Sequence, residues 1–233
     1  MRLAIMQPYF LPYIGYYQLI SAVDAFVVYD NIKYTKKGWI NRNRMLLNEK
    51  EALFTLPLKG GSDALEIVQR ELAADFDRTK LIRQFTGSYK LAPHFTSNFP
   101  LIKRIVDYED NNLFSYLYNS LEEVCRNLHI ETQIIKSSTV AIDHSLNSQE
   151  KVLAICNALG ADTYINSIGG VNLYEKATFS SQGINLQFLK AKPCEYAQFK
   201  SAFVPWLSIL DVLMFNPLNN VEAAICNNYD LFE

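Results

Sequence analysis

Two clusters near the start of the chain hold the residue types that could do chemistry. The first runs Gln7-Pro8-Tyr9-Phe10-Leu11-Pro12-Tyr13-Ile14-Gly15-Tyr16. It offers an amide, several phenols that can donate to a phosphate, and Gly15, where a backbone can come close to a ligand. The second runs Asp30-Asn31-Ile32-Lys33-Tyr34-Thr35-Lys36-Lys37-Gly38-Trp39-Ile40-Asn41-Arg42-Asn43-Arg44. Arg and Lys can clamp a pyrophosphate, Asn can orient sugar hydroxyls, and Trp can stack on a ring. In this reading Lys36, Arg42 and Arg44 bind phosphate, Trp39 stacks, and Asn41 and Asn43 orient hydroxyls. Gln7, Pro8, Tyr9, Tyr13 and Gly15 line the pocket. Asp30, as the base, acts with Tyr16 and Lys36. The simpler alternatives are an aromatic turn packing a sheet end and a solvated basic loop.

Weaker groups follow. Asn166-Ser167-Ile168-Gly169-Gly170, with Tyr174 after it, could fold into a nest of N–H groups for an anion, or be a tight turn. Ser208 and Asp211 lie one helical turn apart and could face a site or cap a helix. His144, beside Asp143, could act as a base, although a loop histidine is the simpler reading. The three histidines match no metal spacing, and no P-loop, G-x-G-x-x-G or G-x-S-x-G occurs. Cys125 and Cys156 fall in apolar helical patterns and read as buried free thiols.

These groups need elements to position them. Leu3–Met6 and Ala25–Tyr29 read as buried strands, with a helix over Tyr13–Ala22 between them and Pro12 in its first turn. That is a β-α-β unit, which predicts a parallel sheet covered on both faces. Both clusters then fall at the carboxyl edge of the sheet, where open α/β sheets bind ligands. Residues 31–50 read as a polar loop and Leu53–Leu58 as a third strand. Residues 75–90 and 99–128 read as helices, and Thr132–Lys136 as a strand. A helix starts at Asn147 and stops at Gly160, with strands at Thr163–Asn166 and Ile184–Leu189. The last 40 residues read as mostly helical. The expected fold is α/β: a Rossmann-like parallel sheet with flanking helices and a mainly helical lobe. The core takes about 1–70 and 130–190, the lobe about 75–130 and C-terminal helices about 196–233, in one domain.

Composition bounds the function. The chain has 233 residues, 22 basic against 24 acidic, and a net charge of -2. That argues against nucleic acid as the partner. Six of the basic residues nevertheless fall between 33 and 50. No apolar stretch is long enough to cross a bilayer, and free thiols fit a reducing, cytoplasmic setting.

The order of features resembles the nucleotidyl-transferase and amide-ligase superfamily marked by H-x-G-H, but here Tyr13-Ile14-Gly15-Tyr16 replaces both histidines. A closer resemblance covers nearly the whole chain. The Gln7–Tyr16 segment, Tyr29-Asp30 and Trp39–Arg44 are similar to the WbqC-like protein family of bacteria. So are Tyr89–Pro93, Asp162–Gly170, Leu173-Tyr174, Gly183-Ile184 and Leu207–Met214. That resemblance implies synthesis of surface polysaccharide of the O-antigen or lipopolysaccharide type, with acyl or aminoacyl (glycyl-like) transfer onto a nucleotide-linked sugar or amino sugar. A non-catalytic sugar-nucleotide or glycan-binding assembly protein is the second reading. A nucleotidyl transferase or ATP-dependent amide ligase is the third, and an adenylated intermediate would require ATP and Mg²⁺. A homodimer and a glycan-assembly partner are both left open.

Overall fold

The computed structural model describes residues 1–200 and 202–233. Strands β1 (Arg2–Met6), β2 (Ala25–Val28), β5 (Gln133–Lys136), β6 (Thr163–Ser167), β7 (Asn185–Ala191) and β8 (Tyr229–Phe232) form one sheet in the order β5-β2-β1-β6-β7-β8. All neighbours are parallel except β7 and β8. Counting only these six in chain order gives 3-2-1-4-5-6, the doubly wound Rossmann order.

The strands alternate between two apolar layers, as a sheet buried on both faces requires. Leu3, Ile5, Ala25, Val27, Tyr164 and Leu186 join one cluster with α5 (Ser148–Leu159) and α6 (Lys176–Ser181). Ala4, Phe26, Val28, Ile165 and Leu189 face the other. That second cluster takes in α1 (Ile14–Ser21), α7 (Ile209–Phe215) and α8 (Leu218–Asn227), and runs unbroken into α2 (Arg78–Tyr89), α3 (Phe95–Asp107) and α4 (Leu113–Asn127). Burying each large apolar side chain contributes about 1.5–3 kcal/mol. Cys125 and Cys156 are buried free thiols, and burial pushes each up to about 12.

Several elements differ from expectation. Residues 31–50 are not all loop. β3 (Arg42–Leu47) and β4 (Lys50–Thr55) pair antiparallel as a separate two-stranded sheet, so the Leu53–Leu58 run is no third strand of the main sheet. Their turn is Asn48-Glu49, both at positive φ (52° and 60°), which matches the twist of a tight hairpin. The expected helix over 99–128 is two helices, because Asn112 starts α4 by accepting the Ser115 N–H. Tyr13 precedes the first residue of α1, which leaves Pro12 outside the helix. From Lys192 to Leu207 no helix or strand occurs among the described residues, and β8 closes the chain as a strand.

Candidate functional site

The strand order reverses between β1 and β6, and a cavity of about 640 Å³ opens near their carboxyl ends. Gln7 follows β1 and Tyr29 follows β2; Tyr174 enters from beyond β6. Asn31, Lys33, Glu66, His144 and the first turn of α5 complete the wall. An open α/β sheet binds ligands at this place.

Lys151 is the unusual group there. It is 5% exposed, sits in the first turn of α5, and makes no ion pair with an acid among the described residues. A cation in that position opposes the helix dipole. Its ammonium donates to the carbonyls of Asn31 (3.1 Å) and His144 (3.3 Å), which leaves one of its three N–H groups over. Burial holds its pKa below the ordinary lysine value, although the fields of Glu66 and Asp30 act the other way. The N-cap residue of α5, Asn147, makes no side-chain cap bond, and Ser148 and Gln149 line the same cavity.

A chain of polar contacts fixes the opposite wall. The Ser137 hydroxyl lies 2.7 Å from Asp30 Oδ1 and 2.6 Å from Asn31 Oδ1. Asn31 Nδ2 lies 2.8 Å from His144 Nδ1. The Ser137 proton serves Asp30, so Asn31 meets the Ser137 oxygen with one end of its amide and the imidazole with the other, and the turn of that amide sets which His144 nitrogen carries the proton.

Asp30 itself is buried and does not line the cavity. Burial would raise its pKa, but the hydroxyls of Ser138 and Ser137 and the Ser138 N–H outweigh it and hold the carboxyl below its usual value. A carboxylate so fully hydrogen-bonded is a weak base. It anchors the turn that carries Asn31.

A second, aromatic hollow has a volume of about 210 Å³. Tyr9, Tyr13, Trp39, Asn43 and Arg44 line it, together with Pro12 and Trp206. Arg44 stacks over the Trp39 ring at 5.4 Å, pairs with Glu51 and donates to the Trp206 carbonyl at 2.9 Å. The Tyr13 ring folds back over Gly15, where a Cβ would sit 2.3 Å from a ring carbon. Gly15 therefore serves the placing of Tyr13, and Ile14 and Gly15 are both buried. A triphosphate does not fit on the first turn of α1. Among the described residues, no three His, Cys, Asp or Glu side chains gather to hold a metal ion.

The remaining expected site residues are inside or elsewhere. Tyr16 is buried and donates to the Gln7 carbonyl at 2.7 Å; burial raises its pKa far above the ordinary value. Pro8 is buried too. Asn41 accepts from Tyr34 and donates to Leu56 O. Asn43 donates to the carbonyls of Phe10 and Leu11 and accepts the Arg44 N–H, so its amide braces the aromatic turn from behind. The Arg42 guanidinium is tied to the carbonyls of Lys37 and Gly38. Lys36 is exposed and paired with Asp63. Ser208 caps α7 and donates to Leu11 O, which helps hold Leu11 at φ 44°. Asp211 is buried and accepts from Tyr89, Tyr196 and Gln198; burial raises its pKa, and those bonds oppose the rise. Gly169 and Gly170 are part of a 3-10 turn over Ile168–Leu173, where the Asn166 amide sits 3.1 Å from the place of a Gly170 Cβ. Asn166 donates to Tyr164 and Tyr174.

Gln7 and Tyr174 thus reach the polar cleft, and Tyr9, Tyr13, Trp39, Asn43 and Arg44 reach the aromatic hollow. Lys151, Glu66 and Trp206 were not singled out from the sequence. Lys151 leaves a trace there: a lysine in the first turn of a helix, on the same face as Ile155.

The fold and the cleft define an α/β protein of Rossmann-like strand order with a polar cavity at the carboxyl edge of its sheet. The chain belongs to the WbqC-like protein family, whose model matches residues 7–223. It is 27% identical over 220 residues to an uncharacterized protein of Mycobacterium tuberculosis, Rv1507c, covering 92% of this chain and 93% of that one. No solved structure matches the chain. Among the described residues, no helix is long and apolar enough to cross a membrane.

Proposed function

We propose that the protein acts in bacterial surface polysaccharide synthesis as a transferase that moves an acyl or aminoacyl group onto an amino sugar carried by a nucleotide. The observation that carries this reading is the buried Lys151, without an ion pair among the described residues, in the wall of the cleft at the strand-order reversal. The spare N–H of Lys151, the Lys33 ammonium and the first turn of α5 hold the phosphates of the sugar nucleotide. The sugar then lies toward His144, Glu66 and Gln7. In the transfer, the sugar amine forms a C–N bond to the acyl carbon, and the bond from that carbon to its leaving group breaks. Glu66 takes the proton the amine loses, and the His144 imidazole donates to the departing group. Asp30 and Ser137 are positioning residues, acting through Asn31 on the imidazole.

The test is calorimetric titration with UDP-, GDP- and dTDP-sugars. A charge-assisted hydrogen bond contributes about 1.5–3 kcal/mol, so Lys151→Met weakens binding roughly 10- to 150-fold. His144→Gln keeps the affinity and lowers turnover of the bound amino sugar. Equal affinity in Lys151→Met and the unaltered protein would overturn the assignment of the cleft.

A further inference from the structure

The aromatic hollow has no place yet in that reaction. Its walls hold both tryptophans of the chain. Both are exposed, Trp39 at 39% and Trp206 at 52%, whereas of the Phe and Tyr side chains only Tyr108 and Phe232 are exposed and the rest are buried or half-buried. Neither ring is loose. Two guanidinium groups, Arg42 and Arg44, stack on Trp39 at 5.8 and 5.4 Å. Trp206 is held by its carbonyl on Arg44 and by the edge of Tyr13 at 6.0 Å. Its backbone sits at φ 60°, a region that non-glycine residues rarely adopt and that collects at ligand sites. Two water-exposed indoles in the wall of one hollow are a stacking platform.

The chemistry of the walls selects the ring. A nucleobase carries donors and acceptors along its edge, and burying them without partners is costly. The amide available to read such an edge, Asn43, is already occupied by Phe10, Leu11 and Arg44. A pyranose needs less. Its C–H face lies on an indole while its hydroxyls stay in water at the open side. We infer that this hollow binds a hexopyranose ring of a glycan. The geometry then names its role, which rests on the reading of the cleft above. Gln7 lines the cleft and Tyr9 lines the hollow. Two residues of chain span at most about 7 Å. The hollow is therefore close enough to hold the glycan that receives or neighbours the modified sugar.

Because the two tryptophans are the only ones in the chain, intrinsic tryptophan fluorescence reports the surroundings of these two rings, Trp39 in the hollow and Trp206 in the hollow and in the cavity of about 340 Å³ on its other side. The probes are methyl glycosides of glucose, galactose, mannose and N-acetylglucosamine, their trisaccharides, and uridine, guanosine and adenosine. The expected result is a saturable emission change with at least one glycan and none with the nucleosides. Trp39→Phe and Trp206→Phe each keep part of the signal, whereas Trp39→Ala and Trp206→Ala weaken binding tenfold or more. Both rings are exposed, so these variants fold, and Lys151→Met leaves the glycan response unchanged. No saturable change with any glycan, or a response to nucleosides instead, overturns the inference. Calorimetry with sugar nucleotides reads the cleft separately, so failure of one site is distinguishable from failure of the other.

Discussion

Two polar regions of this protein are equally dense in sequence and opposite in use. In β3 and α7 and at the residues that precede them, the buried groups Asn41, Asn43, Ser208 and Asp211 are bonded to other parts of the chain. They hold the Phe10–Tyr13 turn, the hairpin and α7 together. Around the cleft, Lys151 keeps one N–H, near the Tyr29 ring, and His144 one ring nitrogen outside any hydrogen bond, and both residues line a cavity. Residue type does not separate a structural network from a site. Leftover hydrogen-bonding capacity next to open volume does.

That contrast sets the sizes of expected effects. The largest falls on Asp211. Asp211→Ala leaves the donors of Tyr89, Tyr196 and Gln198 without their acceptor in the interior. At about 1–3 kcal/mol for each unsatisfied buried group, a loss of roughly 3–5 kcal/mol is expected in denaturant unfolding, with little change in ligand affinity for the protein that remains folded. Asn43→Ala follows, with about 2–3 kcal/mol lost through its three bonds to the turn and to Arg44. If either change instead left stability intact and abolished binding, the division into two regions would be wrong.

Gly15→Ala is a finer tool. The added methyl meets the Tyr13 ring, so that ring leaves the wall of the aromatic hollow. Tryptophan emission should shift while calorimetric binding of a sugar nucleotide stays within about threefold, well under the effect of losing one charged hydrogen bond.

The smallest effects are in pH. Lys151 has a lowered pKa in the folded protein. The unfolded chain binds more protons between that value and the ordinary lysine value of 10.5, so this group's contribution to stability rises with pH across the window. Anion affinity moves the other way. It falls as Lys151 loses its proton, at lower pH than an ordinary lysine would, and Lys151→Met removes both dependences. Asp30 has the reverse sign. Its lowered pKa contributes stability above the ordinary aspartate value of 3.8 that is lost as acid protonates the folded form, and Asp30→Asn flattens that limb of an acid unfolding curve.

How much of this was legible follows from the same physics. The parallel strands read clearly because Leu3–Met6 and Ala25–Val28 are apolar runs separated by a helix-length segment. β3 was hidden because Arg42 and Arg44 alternate with buried Asn43 and Met45, and a buried Asn looks like a loop residue in a window of charges. β8 is only four residues long and pairs with β7 across the long irregular stretch. At the site, Gln7 and Tyr174 follow strand ends and were within reach. His144 was demoted and Lys151 passed over because their partners come from residues 30, 31 and 137. These meet only because β2 and β5 lie side by side. The same non-local pairing turned Asp30 from an expected base into a buried anchor.

The central claim is that spare capacity, not polarity, marks the site. One paired measurement tests it: sugar-nucleotide affinity and melting temperature in Lys151→Met and in Asn41→Ala, two buried polar positions of which one faces the cleft. The account predicts that Lys151→Met loses roughly 10- to 150-fold in affinity and keeps its melting temperature within about 3 °C. It predicts that Asn41→Ala keeps its affinity and melts several degrees lower. The opposite pattern, or equal affinity in both, would contradict it.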